Sequence, residues 1–504
     1  MDLVSSLPEE VLCHILSFMS TKEAALTSVL SKRWLSLWTL VPNLDVDDSV
    51  FLHPEEGKRE REGILHSFMD FVDRVLALQG DSPIKRFSLK CKTGIDPDRV
   101  NLWILNVLQR GVSDLELCLD FPRCGYSDND DEDYQLPKEM FESKTLVDLK
   151  LTSEFGVDWW RDKGTLLPML KSLRIDSGEL LLLSDELEQF VYALPVLEEL
   201  YLATMEWFDL DETVSSASLR KLTIYAKGFE GFGGDPKGFS FDTPSLVYLD
   251  YSDYVAADYP KVNLTSLAEA RLNLLVKENQ VELIRAPAPN GEDDVVIQRF
   301  RNVSKLMSGL INVQKLSLSA DTLEVLSLSC DSMPVFNNLK SLNIKSHKER
   351  GWQAVPVLLR NCPRLETIVF EVVKHNSFAF KTFYKDTVHI YNSRFCFQGL
   401  IHYVTDDCGD ACGCISREDK GRCSLVSCPV KKIQIHGFEM TVPEMKVIRH
   451  FLVSLQCLKE MKIYAKENDP TNLPLPAMFE LIEMAMKFYS QEFKCDVSFI
   501  RPGS

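Results

Sequence analysis

Nowhere do about 18 apolar residues run together, so no stretch of the 504-residue chain reads as a membrane span. The opening Met1-Asp2-Leu3 lacks the basic residues and following apolar run of a secretory signal. A basic surplus is missing too. Against 56 Lys and Arg stand 74 Asp and Glu, a formal net charge of −18, which argues against a nucleic-acid-binding body. Catalytic patterns are equally scarce. There is no Gly-x-Ser-x-Gly elbow, and Gly228-x-x-Gly231-x-Gly233-Gly234 lacks the Gly-Lys-Ser/Thr close of a phosphate loop. The nine histidines keep no recognised spacing to a nucleophile. The chain therefore reads as a non-enzyme, with no catalytic residue to assign.

What it does have includes 14 cysteines, scattered through a sequence without an export signal. A reducing compartment, cytoplasm or nucleus, keeps such thiols free. Cys118, within Leu115-Glu116-Leu117-Cys118-Leu119, fits the role of a small buried hydrophobe. The densest group is Cys408, Cys412, Cys414, Cys423 and Cys428, near His402. Only Cys408 and Cys412 form a pair of zinc-like spacing, and Asp406, Asp407, Gly409, Asp410, Gly413 and Gly421 around them give a solvent-loop composition. The acidic run Asp128–Asp133 has no Gly at the sixth position of a calcium loop. No metal or other cofactor is expected.

The first 40 or so residues carry three helix signals. Ser6 and Glu9 have capping-box spacing with Pro8 in the first turn. Leu12, Ile15, Leu16 and Met19 then form an amphipathic stripe. Ser20 and Glu23 repeat the box before Ala24, Ala25 and Leu26, and Ser31 starts a third segment with Trp34, Leu35, Leu37 and Trp38. A piece below roughly 40 residues does not bury a core alone. Its apolar surface must dock on the rest of the chain or on another protein.

These residues resemble an F-box: Leu7-Pro8 near the start, Ile15-Leu16 at the end of the first helix, and Val29-Leu30-Ser31-Lys32-Arg33-Trp34 at the close. The resemblance covers less than a tenth of the protein. It implies docking on the Skp-type adaptor of a cullin-based ubiquitin ligase, with Leu7, Pro8, Leu12, Ile15, Leu16, Val29, Leu30 and Trp34 as the adaptor-binding residues. Without the resemblance, the same helices read as an N-terminal cap on a stand-alone repeat scaffold.

The body repeats a Leu-x-x-Leu-x-Leu pattern. Clear units are Leu146–Leu151, Leu170–Ile175, Leu197–Leu202, Leu219–Ile224, Leu246–Tyr251, Val313–Leu318, Leu339–Ile344 and Leu365–Phe370. Weaker ones are Ile84–Leu89, Val112–Leu119 and Leu267–Leu272. The spacing is that of leucine-rich repeats, each a strand with a returning helix or loop. Leu323–Leu328 sits too close to Val313 to be its own repeat, and reads as the returning segment of that one. The Asn or Cys expected past the last apolar position is missing, with Glu154, Gly178, Met205 and Lys227 in such places.

Towards the C-terminus, Val430–Ile435 reads as a strand, His436-Gly437-Phe438 as a turn, and Thr441, Pro443 and Glu444 as a helix start. Met445, Ile448, Leu452 and Leu455 stripe that helix, and Leu458–Ile463 is a second, parallel strand. The unit resembles the FBD domain of plant F-box proteins. Met478–Tyr489 and Cys495–Ile500 supply a last helix and strand.

The expected fold is therefore α/β, a leucine-rich-repeat solenoid preceded by a small all-α three-helix F-box. Expected bounds are 1–48 for the F-box, 80–400 for degenerate repeats, 401–427 for an inserted Cys/Gly/Asp loop and 428–504 for an FBD-like end cap. The resemblance to the F-box/FBD/LRR-repeat family implies a non-catalytic substrate receptor. Its partners would be the adaptor, through it a cullin, and an unknown target protein, with neither nucleic acid nor membrane. Alternation along each strand turns Lys150, Arg174, Tyr201, Thr223, Tyr225 and Asp250 outward. Of these, Arg174, Tyr201, Tyr225 and Asp250 are the candidate target-binding residues, Arg and Tyr being frequent interface anchors.

Overall fold

The computed structural model describes residues 7–49, 61–91, 95–119, 134–153, 167–182, 186–207, 211–226, 237–277, 280, 294–327, 333–346, 354–372, 428–440, 442–466 and 476–501. Cys408, Cys412, Cys414, Cys423, the Asp128–Asp133 run and the Gly228–Gly234 segment lie outside them. The chain forms two compact units, Met1–Gly234 and Asp235–Ser504.

In the first unit, two short helices, Glu9–Leu16 and Thr21–Leu26, lead into strand β1 (Asn43–Asp47). It is followed by β2 (Arg86–Cys91), β3 (Asp114–Leu119), β4 (Asp148–Ser153), β5 (Ser172–Leu182), β6 (Glu199–Trp207), β7 (Asp211–Ser215) and β8 (Lys221–Tyr225). Strands β1 to β6 and then β8 pair in parallel, each with the next, and β7 stands outside that sheet. Helices Arg61–Gln79, Pro97–Gln109 and Glu186–Tyr192 return the chain between strands.

The second unit repeats the plan. Its strands are β9 (Gly238–Asp242), β10 (Tyr248–Tyr254), β11 (Val262–Asn263), β12 (Glu269–Leu275), β13 (Lys315–Ser319), β14 (Ser341–Ser346) and β15 (Thr367–Val372). Then come β16 (Lys432–Phe438), β17 (Glu460–Ala465) and β18 (Asp496–Ile500). Strand β10 and all from β12 to β18 pair in parallel in chain order, while β9 pairs with β11.

The repeat pattern explains the parallel pairing within each unit. Its first apolar residue precedes the strand, and its second and third point inward on it. Leu149, Leu173, Leu200 and Leu222 stand in register across β4, β5, β6 and β8, and so do Leu151, Ile175, Leu202 and Ile224. All eight are buried. Full burial of such a side chain contributes about 1.5–3 kcal/mol. The weaker units became β2, β3 and β12, and the returning segment at Leu323 is the helix Ala320–Ser327, with Leu323, Val325 and Leu326 buried.

In place of a side-chain ladder, the backbone joins the repeats. The N–H of the residue entering each strand donates to the carbonyl of its counterpart one repeat earlier. In unit one Lys171 donates to Val147, Glu198 to Lys171 and Arg220 to Glu198. In unit two Gln314 donates to Ala268, Lys340 to Gln314, Glu366 to Lys340 and Lys431 to Glu366.

Four local readings are corrected. The first helix begins at Glu9 behind an extended Pro8 (ψ 151°), whose carbonyl accepts from the N–H groups of Val11 and Leu12, both at 3.1 Å; Ser6 lies outside the described residues. The third helix is a series of turns ending in a short 3₁₀ stretch, Leu37–Leu40. So few residues do not offset helix nucleation, and Trp34, Leu37 and Trp38 reach the interior from tight turns. Residues 43–47 extend the sheet as β1. At the other end, His436-Gly437-Phe438 stays within β16, where a bulge and the positive φ of Gly437 (78°) absorb the irregularity.

Candidate functional site

The N-terminal module is tied at both ends. Arg33 donates from Nη2 to the Leu7 carbonyl at 2.6 Å across 26 residues, so the closing Lys-Arg-Trp pins the opening Leu-Pro. Within it, Ser20 caps Thr21–Leu26 as expected. Its hydroxyl accepts from the Glu23 N–H at 3.3 Å, and the Glu23 carboxylate accepts from the Ser20 N–H at 3.1 Å. Those hydrogen bonds hold the Glu23 carboxyl below its usual range. The module leans on the repeats: the Gln79 side-chain amide donates to the Val41 carbonyl at 3.1 Å, and the Asp45 N–H donates to the Thr21 hydroxyl at 2.8 Å.

Burial divides the eight adaptor-binding candidates. Leu12, Leu16 and Trp34 are 0%, 1% and 6% exposed, so they build the module's interior and lie off its surface. Pro8, Ile15, Val29 and Leu30 are exposed and Leu7 is half-buried. Beside them stand residues outside the eight candidates: Val11, Phe18, Leu26, Leu35 and Leu40 are exposed too, Phe18 by 78% and Val29 by 82%. Such a concentration of large apolar side chains within 30 residues marks a surface made to be covered by a protein. The capping residues and turns fix the backbone, and the burial of Leu12, Leu16 and Trp34 sets which side chains remain outside.

A second feature lies on the outward face of the first unit's sheet. Lys150, Arg174, Tyr201 and Thr223 stand in register across β4, β5, β6 and β8. The Arg174 guanidinium lies over the Tyr201 ring, and the Tyr201 and Tyr225 ring centres are 5.8 Å apart. An ion pair of 3.6 Å joins Arg174 to Asp176. Thr223 faces the same way but is buried. Asp250 belongs to the second unit, where it accepts a 3.2 Å hydrogen bond from the Tyr248 hydroxyl and stands in register with Arg271. The first unit thus groups three of the four target-binding candidates, Arg174, Tyr201 and Tyr225, and Asp250 belongs to the second.

Among the described residues no group of three or more His, Cys, Asp or Glu is arranged to hold a metal ion. Cys428 is a buried free thiol, and the rest of its cluster lies outside the described residues.

Comparison with known proteins decides the family. Residues 4–45 match the F-box domain. The chain is 57% identical to F-box/LRR-repeat protein At3g58930 of Arabidopsis thaliana, over 99% of its own length and 98% of the relative's. The chain belongs to the F-box/LRR-repeat protein family. From the same plant, F-box/LRR-repeat protein At3g58940 is 55% identical over 96% of this chain and 68% of its own length, and F-box protein At3g03040 is 52% identical over 99% and 98%. F-box/LRR proteins of this family are non-catalytic adaptors, and the F-box domain implies binding to a Skp1-type adaptor. No helix among the described residues is long and apolar enough to cross a membrane.

Proposed function

We propose that this F-box/LRR protein is the target-recognition subunit of an SCF-type cullin ubiquitin ligase. Its N-terminal module holds a Skp-type adaptor, the adaptor connects it to a cullin, and the outward sheet face around Arg174, Tyr201 and Tyr225 holds the target. Catalysis takes place elsewhere in the complex, and the receptor acts by bringing the target near. The observation that carries this reading is the exposed apolar face of Phe18, Leu26, Val29, Leu30 and Leu35 beside a module whose own core is already filled by Leu12, Leu16 and Trp34. A stand-alone scaffold has no use for that face. The strand–helix–strand unit at residues 432–465, continued by the last helix and strand, is the FBD-like end of the chain. A partner set of this kind places the protein in the cytoplasm or nucleus. Co-purification of the full chain with a Skp-type adaptor, and its loss when Val29 and Leu30 become Asp, tests the assignment.

A further inference from the structure

The helix Pro476–Phe493 is apolar on two opposite faces. At about 100° per residue, Phe479 and Met486 share the face packed on β18. Met486 is buried, and the Phe479 ring centre lies 6.1 Å from that of Phe499. Roughly half a turn away stand Leu481, Met484 and Phe488, exposed by 61%, 58% and 61%, and Met478 lies a quarter turn from either face. Other long helices of the second unit differ. Among their described side chains, Asp294–Gly309 and Val442–Ser454 each show one large exposed apolar residue, Val295 and Val453. A helix that buries one apolar face and exposes a second presents that second face to another protein.

The charges beside the stripe indicate what covers it. Glu480 and Lys487 are both exposed, lie seven residues apart and so share one flank of the apolar stripe. In an antiparallel pair of identical helices related by a two-fold axis, each flank meets the same flank of the other copy. An axis passing level with the Met484–Ala485 peptide sets Leu481 opposite the second copy's Phe488, with Met484 beside the axis. That operation also brings Glu480 within two residues, about 3 Å along the helix, of the second copy's Lys487, and does so twice. The stripe is therefore self-complementary in both shape of pattern and charge.

We infer that this face binds a second copy of the same chain, helix against helix in antiparallel orientation. The helix is about 27 Å long. One helix face buries less than the roughly 800 Å² per partner of a standard stable interface, so the dimer is weak and concentration-dependent. Two target-recognition surfaces on one assembly raise avidity for a target with repeated binding segments.

Sedimentation of the full-length chain over a wide concentration range tests this. The wild type passes from monomer to dimer, and Leu481→Glu with Phe488→Glu stays monomeric with an unchanged thermal melt. Glu480→Lys or Lys487→Glu alone puts like charges opposite one another and weakens dimerisation several-fold. The double swap, Glu480→Lys with Lys487→Glu, restores it. A chain that is monomeric at every concentration overturns the inference, and so does a dimer indifferent to Leu481→Glu with Phe488→Glu. Charge swaps that weaken without rescue overturn the antiparallel arrangement.

Discussion

The guanidinium carbon of Arg174 lies 3.7 Å from the centre of the Tyr201 ring, one strand away on the outward face of the sheet. The parallel register makes this contact: the pattern's outward position on β5 is brought level with that on β6, so a cation in one repeat meets an aromatic face in the next. At an exposed site such a pair is worth about 0.5–1 kcal/mol. A double-mutant cycle of Arg174→Ala and Tyr201→Ala, followed by chemical denaturation, should return a coupling of that size.

Replacing Arg174, Tyr201 and Tyr225 together should leave adaptor binding intact and remove target capture. All three project from the sheet without forming its core, so the thermal melt should fall only slightly. Loss of adaptor and target together would place the defect in folding, and retention of both would move the target to another face.

Buried thiols should resist modification. Burial pushes the Cys91 thiol well up, that of Cys362 up to about 12 and that of Cys495 to about 11. Since the thiolate is the reactive form, these stay unmodified at neutral pH while the exposed Cys457 reacts. Mass spectrometry after brief alkylation of the folded protein reads the difference, which should vanish in denaturant.

Ser20→Ala should cost about 1 kcal/mol through loss of the cap. Part of that interaction depends on the Glu23 carboxylate, whose folded pKa lies below its ordinary value of 4.5. A lowered folded pKa means stabilisation that is complete above the ordinary value and lost as pH falls through the folded one. The difference in stability between wild type and Ser20→Ala should therefore shrink in acid below that range and hold steady from pH 5 to neutrality.

The solenoid was legible because its pattern is local and its register repeats. Leu149, Leu173 and Leu200 announce their inward direction within six residues of sequence, and parallel pairing does the rest. The N-terminal face was less so. Ile15 and Leu16 are neighbours of similar apolar character, yet one is exposed and the other buried. Only the packing of Leu16 and Trp34 in the module's interior separates them. Nothing in the sequence marks Phe18 and Leu35 as surface residues, because an exposed apolar residue carries no periodic signal of its own. The turn at Trp34 was misread for a related reason: capping residues mark where a helix can start, whereas tertiary packing determines whether it continues.

Interior and surface substitutions in the module should part company. Leu12→Ala, at a site that is fully buried, should cost about 2–5 kcal/mol of stability and lower adaptor binding only through unfolding. Leu7→Ala with Pro8→Ala removes side chains at the rim while the Leu7 carbonyl still accepts from Arg33. That pair should therefore lose adaptor affinity with the module still folded.

Calorimetric titration of a Skp-type adaptor into the full-length chain and into its Val29→Asp/Leu30→Asp variant bears most directly on the receptor assignment. Both side chains are mostly exposed, so the variant's melt should stay within about 0.5 kcal/mol of wild type. The account predicts tight adaptor binding by the wild type and a loss of about 2 kcal/mol or more in the variant. Wild-type chain that ignores the adaptor, or a folded variant that binds it equally well, would contradict it.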